Sequence, residues 1–213
     1  GMPWLELSTL CGYKQHDDKD GELAGGNNIV GIGYVAGVRC LVTVNNSAIK
    51  GGTSTPYGVT KSLRAQGIAL RQKLPTINLI ESGGANLNYQ SEMFVPGGQI
   101  FANLARLSAA GLPQLTIVHG SSTAGGAYMP GLSDYTIMVK GNAKVFLAGP
   151  PLLKAATGEI AGDEELGGAE MHSFTAGTSE YLVSSDSAAV AKAREVMAKM
   201  GWTQKTIDAP VFE

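Results

Sequence analysis

Two apolar runs in this sequence each break into a glycine-rich turn. One is Leu79-Ile80-Glu81-Ser82-Gly83-Gly84-Ala85-Asn86, and the other is Val118-His119-Gly120-Ser121-Ser122-Thr123-Ala124-Gly125-Gly126-Ala127-Tyr128. A chain that repeats strand, glycine turn, helix and strand is confined to α/β architecture, with right-handed crossovers between parallel strands. Residues 60–73 place Leu63, Ile68 and Leu70 among polar residues, an amphipathic helix that closes before Pro75. Residues 76–80 form a short buried strand, and residues 99–110 a second helix stopped by Gly111 and Pro113. Residues 115–118 are another apolar strand, and 126–132 open a helix behind the second glycine turn. Strands are expected at 136–139 and 144–147, a short helix at 152–157 and a final helix at 187–200. Upstream, β-rich runs at 29–35 and 39–44 flank Ala36-Gly37-Val38, which signals a hairpin. Residues 12–28 and the acidic 163–165 read as surface loops. No internal repeat, linker or second domain shows, so residues 1–213 read as one domain.

Composition narrows the function classes. Of 213 residues, 29 are glycine, about twice the usual share. They have no period of three, so a collagen-like fibre is excluded. Hydrophobic residues make up 44% and charged residues 16%, which is a globular balance. The low charge implies that other subunits cover part of the surface. Net charge is 16 − 18 = −2, with nothing to attract a nucleic-acid backbone. No apolar run approaches the ~18 residues of a membrane span, and no secretory signal is visible. Gly1-Met2 reads as a remnant ahead of a start methionine. Cys11 and Cys40 make neither a metal spacing nor a disulfide framework, so no metal and a reducing, cytoplasmic location are expected.

Paired glycines let a backbone approach a ligand, and they expose consecutive N–H groups to negative charge. Two such turns at the ends of adjacent strands would converge on one oxyanion. Rival readings fit less well. Gly31-Ile32-Gly33 resembles a dinucleotide fingerprint, but it lies inside a β-run with no acidic residue about twenty positions on. Gly120-Ser121-Ser122 is not the G-x-S-x-G elbow of a serine hydrolase, and His119 and His172 lie in a strand end and a loop. The carboxylates Glu81, Glu92, Asp134 and Glu159 are scattered, although Glu159 follows Thr157-Gly158 and could sit near the site. A reaction without a clear protein base needs one from its substrate or cofactor.

At this point the chain resembles the carboxyltransferase (β) subunits of biotin-dependent acyl-CoA carboxylases, the propionyl-, acetyl-, 3-methylcrotonyl- and geranyl-CoA enzymes. The resemblance runs through Ile49-Lys50-Gly51-Gly52-Thr53, Leu63-Arg64-Ala65-Gln66, Ser82-Gly83-Gly84-Ala85-Asn86-Leu87 and Ser122-Thr123-Ala124-Gly125-Gly126-Ala127-Tyr128. It continues through Ala148-Gly149-Pro150-Pro151-Leu152-Leu153-Lys154-Ala155-Ala156-Thr157-Gly158-Glu159 and Leu166-Gly167-Gly168-Ala169. It is strongest with the methylcrotonyl and geranyl branch. The resemblance implies a crotonase-type fold of stacked ββα units, equivalent to the family's N-terminal domain, with the second domain absent. It implies an acyl-CoA thioester substrate, biotin carried on a partner protein, a biotin carboxylase or biotin carrier subunit, and a second carboxyltransferase domain or chain in a homo- or hetero-oligomer. In the family, biotin itself takes the substrate proton, which agrees with the thin inventory of acids and bases. Gly125 and Gly126 match the oxyanion pair, and Gly83, Gly84 and Ala85 match a second turn lining the CoA site. Lys50 and Arg64 suit CoA phosphates by charge, although ordinary surface charge accounts for both more simply.

Overall fold

The computed structural model describes residues 3–16, 18–22 and 25–203. Gly1-Met2 and three positions of the expected 12–28 loop lie outside them. Strand β1 (Leu5–Glu6) lies antiparallel against β2 (Asn28–Val35), and β2 pairs antiparallel with β3 (Val38–Asn45). Val35 faces Val38, so only Ala36 and Gly37 make the hairpin turn. Their φ values of 51 and 81 are both left-handed, the turn whose twist matches paired strands. Gly31 and Gly33 of the rejected fingerprint have a packing role. A Cβ at either would sit 2.3 or 2.9 Å from the Trp4 indole.

From β3 onward every pairing is parallel, as the glycine-turn pattern requires. Helix α1 (Pro56–Gln72) carries the chain to β4 (Thr76–Ser82), and α2 (Gln90–Ala109) carries it to β5 (Gln114–Thr123). Helix α1 starts four residues before the expected point. Thr55 caps it by accepting the Gly58 N–H at 3.1 Å, and Pro56 occupies its first turn. Helix α2 starts nine residues early and runs through Pro96-Gly97-Gly98. Met93, buried to 2%, anchors that early part.

The sheet forks at β5. Residues 115–118 pair with β6 (Tyr135–Val139), reached through the short α3 (Tyr128–Gly131), and residues 121–123 pair with β7 (Lys144–Phe146). Helices α4 (Pro150–Thr157) and α5 (Asp163–Gly167) follow. The expected acidic loop is therefore a helix. Asp163, Glu164 and Glu165 fill its first turn, where carboxylates suit the helix dipole, and Glu164 reaches Lys144 at 3.2 Å. A π turn (Met171–Ala176) holds His172, whose Nε2 donates to the Val145 carbonyl at 2.7 Å and whose Nδ1 meets the Thr178 hydroxyl at 2.7 Å. That histidine ties the turn to β7. Strand β8 (Tyr181–Val183), which the sequence did not announce, joins the edge beyond β6, and α6 (Asp186–Lys199) closes the domain. No described helix is long and apolar enough to cross a membrane.

Two apolar cores lie on opposite faces of the sheet. One packs Cys40, Ile77, Leu115 and Ile137 against Ala189, Ala193 and Met197 of α6. The other packs Val30 and Leu41 against Ala65 and Ala69 of α1 and Leu107 of α2. Burial in the first core pushes the Cys40 thiol up from 9.0 to about 12. An unfolded thiol ionises first as pH rises, so Cys40 contributes stability that is intact below 9.0 and is lost as pH climbs toward about 12. Denaturant unfolding across that window should show a flatter decline for Cys40→Ala than for wild type, by up to about 1.4 kcal/mol per pH unit.

Candidate functional site

A cavity of about 500 Å³ lies between α1 and α2 and strands β3 and β4, and reaches the ends of β4 and β5. Its walls are largely apolar, with Asn, Ser, Thr and Gln side chains between. Among the described residues, no acidic, basic or histidine side chain lines it. Both glycine turns open onto it: Gly83, Gly84 and Ala85 from the end of β4, and Gly125 and Gly126 from the end of β5.

The strand register brings these turns together. Ile80 pairs with Val118, but Ser82 pairs with Ser122, two residues further along β5 than a regular ladder allows. That bulge sets the ends of the two strands level. Gly84 has φ +89, and a Cβ there would come 3.2 Å from the Ala124 Cβ. A residue other than glycine would be strained and would push the turns apart.

The first turn spends most of its donors on itself. The Gly83 N–H donates to the Gly51 carbonyl at 3.1 Å, and the Gly84 N–H to Ser82 Oγ at 3.2 Å. The Asn86 N–H donates to the Ser54 carbonyl at 3.0 Å. These bonds leave the Ala85 N–H. The second turn is a 3₁₀ segment (Ala124–Ala127) whose N-cap, Thr123, makes no side-chain cap. In such a turn the first two N–H groups precede the internal bonding; that of Ala124 continues the β5–β7 ladder, where Thr123 pairs with Phe146, which leaves the Gly125 N–H. The site thus gathers unspent donors from two strands beside an apolar cavity.

The two glycines of the second turn have different physical reasons. A Cβ on Gly126 would lie 2.9 Å from Ser122 Oγ and 3.2 Å from Ser82 Cβ, so this glycine allows close packing. A Cβ on Gly125 would meet only the Phe101 ring, at 3.5 Å. Phe101 also stacks on Tyr128 at 4.7 Å between centroids, forming a wall beside the turn. Sequence reasoning missed Phe101, whose only signal was an apolar place on a helix.

The remaining expected residues lie off the cavity. Lys50 is exposed, on the turn whose Gly51 carbonyl takes the Gly83 N–H. Arg64 is exposed and donates to Ser8 Oγ at 3.1 Å. Glu159 is exposed, and His119 Nδ1 lies 3.8 Å from Glu81 Oε2. None of these lines the cavity. The buried cation is instead Lys61, whose Nζ donates to the Gly25 and Asn28 carbonyls at 3.0 and 2.6 Å; burial pushes its ammonium down. The packing makes a prediction. Gly126→Ala should lose about 1–3 kcal/mol in thermal or denaturant unfolding, while Gly125→Ala stays close to wild type.

Comparison with known proteins gives this geometry a context. The family model of the carboxyl transferase domain matches residues 1–213. A probable biotin-dependent acyl-coenzyme A carboxylase beta2 subunit of Mycobacterium tuberculosis is 49% identical over 99% of this chain and 39% of its own length. The mitochondrial methylcrotonoyl-CoA carboxylase beta chain of Dictyostelium discoideum is 46% identical over 100% of this chain and 36% of its own. Among solved structures, the beta subunit of P. aeruginosa geranyl-CoA carboxylase superposes with a TM-score of 0.86 at 60% identity, covering 95% of this chain and 37% of that one. The chain therefore spans under two-fifths of these relatives' lengths. The fold is the crotonase-type one, and the chain belongs to the carboxyl transferase domain family, alongside the β subunits of biotin-dependent acyl-CoA carboxylases.

Proposed function

We propose that this chain supplies the acyl-CoA half of a biotin-dependent carboxyl transfer. The thioester carbonyl sits against the N–H groups of Ala85 and Gly125, and the acyl group enters the apolar cavity beside Phe101. Gly84 and Gly126 let the two turns approach each other, and Gly83 makes room for Thr53. The acyl group is of the branched, unsaturated kind named for the methylcrotonoyl and geranyl relatives. Lys50, on the turn whose Gly51 carbonyl takes the Gly83 N–H, is the phosphate partner for CoA by position and charge; Arg64 lies on α1 beside Ser8.

The observation that carries this reading is a donor-rich site whose described lining holds no acid or base. Fixed N–H groups stabilise the oxyanion that forms as a proton leaves the acyl carbon, an effect of about 3–4 kcal/mol per donor. Such a wall can polarise the carbonyl, orient the enolate and exclude water, but it cannot take the proton. Carboxybiotin, carried by a partner protein, would supply the carboxyl group, and the biotin left behind would take up that proton. A hydratase or a hydrolase would need positioned carboxylates or a nucleophile–base pair here. A second carboxyltransferase domain or chain completes the biotin side, in an oligomer. The free thiols Cys11 and Cys40 favour the reducing cytoplasm.

Calorimetry with methylcrotonyl-CoA and geranyl-CoA tests the proposal. The folded chain should bind a thioester. Gly125→Val should weaken binding by about tenfold or more, equivalent to about 1.4 kcal/mol. Lys50→Ala should weaken it several-fold in a salt-dependent way, and Arg64→Ala should leave it unchanged. A folded chain that binds no acyl-CoA would overturn the reading.

A further inference from the structure

One residue touches each of the backbone turns at the cavity. Ser82 is the last residue of β4 and is buried to 6%. Its Oγ donates to the Gly52 carbonyl at 3.1 Å and accepts the Gly84 N–H at 3.2 Å. Its own carbonyl accepts from Thr123 Oγ1, the cap position of the second turn, at 3.4 Å. Its Cβ lies where only a glycine fits at 126, 3.2 Å from the Cβ that position lacks. The Gly52 carbonyl is held from its other side by the fully buried Asn27, whose Nδ2 donates to it at 3.2 Å and to the Thr53 carbonyl at 2.6 Å.

Resting on the acyl-CoA reading above, we propose that Ser82 is a positioning residue for the oxyanion donors. Its hydroxyl fixes the Gly84 peptide, and the following N–H, that of Ala85, is the one the turn leaves unspent. Through Thr123 and Gly126 the same residue sets the distance to the Gly125 donor. Without the hydroxyl, the Gly84 N–H and the Gly52 carbonyl lose their shared partner, and the Gly84–Ala85 peptides are free to rotate. Ser122 provides a matched control. It pairs with Ser82 across the ladder and is fully buried, but its Oγ has no partner among the described residues.

The test is the carbonyl stretch of a thioester carrying ¹³C at C1, read by difference infrared spectroscopy on the bound complex. Wild type should shift the band to lower frequency, because donors polarise the carbonyl. Ser82→Ala should lose most of that shift while affinity changes by less than about threefold, since the rest of the cavity still holds CoA and the acyl group. Ser122→Ala should keep it. Ser82→Cys, which preserves volume and bonds weakly, should fall between and carries the test should Ser82→Ala not fold. A full shift in a Ser82 variant that binds thioester overturns the positioning role. So does an equal loss in Ser82→Ala and Ser122→Ala, which would mean packing alone. Absence of any binding by wild type overturns the acyl-CoA reading instead, so the two failures are distinguishable.

Discussion

Parallel pairing of β4 with β5, with its bulge between Ile80 and Ser82, is the constraint on which the site depends. It sets two strand ends side by side, and each end turns sharply through glycine. A regular ladder would leave the turns out of step by two residues. The bulged one brings Gly84 against Ala124 and leaves backbone donors from both strands at one cavity mouth. Everything chemical proposed for the chain follows from that alignment, because no charged side chain among the described residues reaches the cavity.

The arrangement also explains where polar atoms go. The turn at Lys50–Gly52 is tied to the β4 turn by the Gly83 N–H and the Ser82 hydroxyl, and to the β2 start by Asn27. Lys61 holds the carbonyls of Gly25 and Asn28 from within α1. Buried polar groups cost free energy unless they are bonded; this network pairs the carbonyls of Gly25, Asn28, Gly51, Gly52 and Thr53 and so fixes the backbone, although Asn27 Oδ1 is left without a partner among the described residues. Rigid donors in an apolar surround do more for a developing oxyanion than mobile ones, because they need no reorganisation during the reaction.

Much of the fold was legible. The β-rich runs around Ala36-Gly37 gave the hairpin, and the two glycine turns gave the parallel order. What escaped was set by context. The Thr55–Pro56 start of α1 lies ahead of its apolar periodicity, and Pro96-Gly97-Gly98 concealed the first turns of α2. The three-residue β8 has too little pattern to stand out, and three acidic residues looked like a loop where they open α5. At the site, the glycine turns were visible, but which N–H groups remain unspent was not. That depends on carbonyls at Gly51 and Ser54 and a hydroxyl at Ser82, brought in from other turns. Biotin and the second domain came from family resemblance, not from spacing or composition.

The central claim is that two turns from two strands act on one thioester. Amide hydrogen exchange at residue resolution tests this most directly, comparing the free chain with the chain saturated by an acyl-CoA. Residues 83–86 and 123–127 should gain protection together. Protection confined to one turn, or binding that slows exchange at neither, would contradict it.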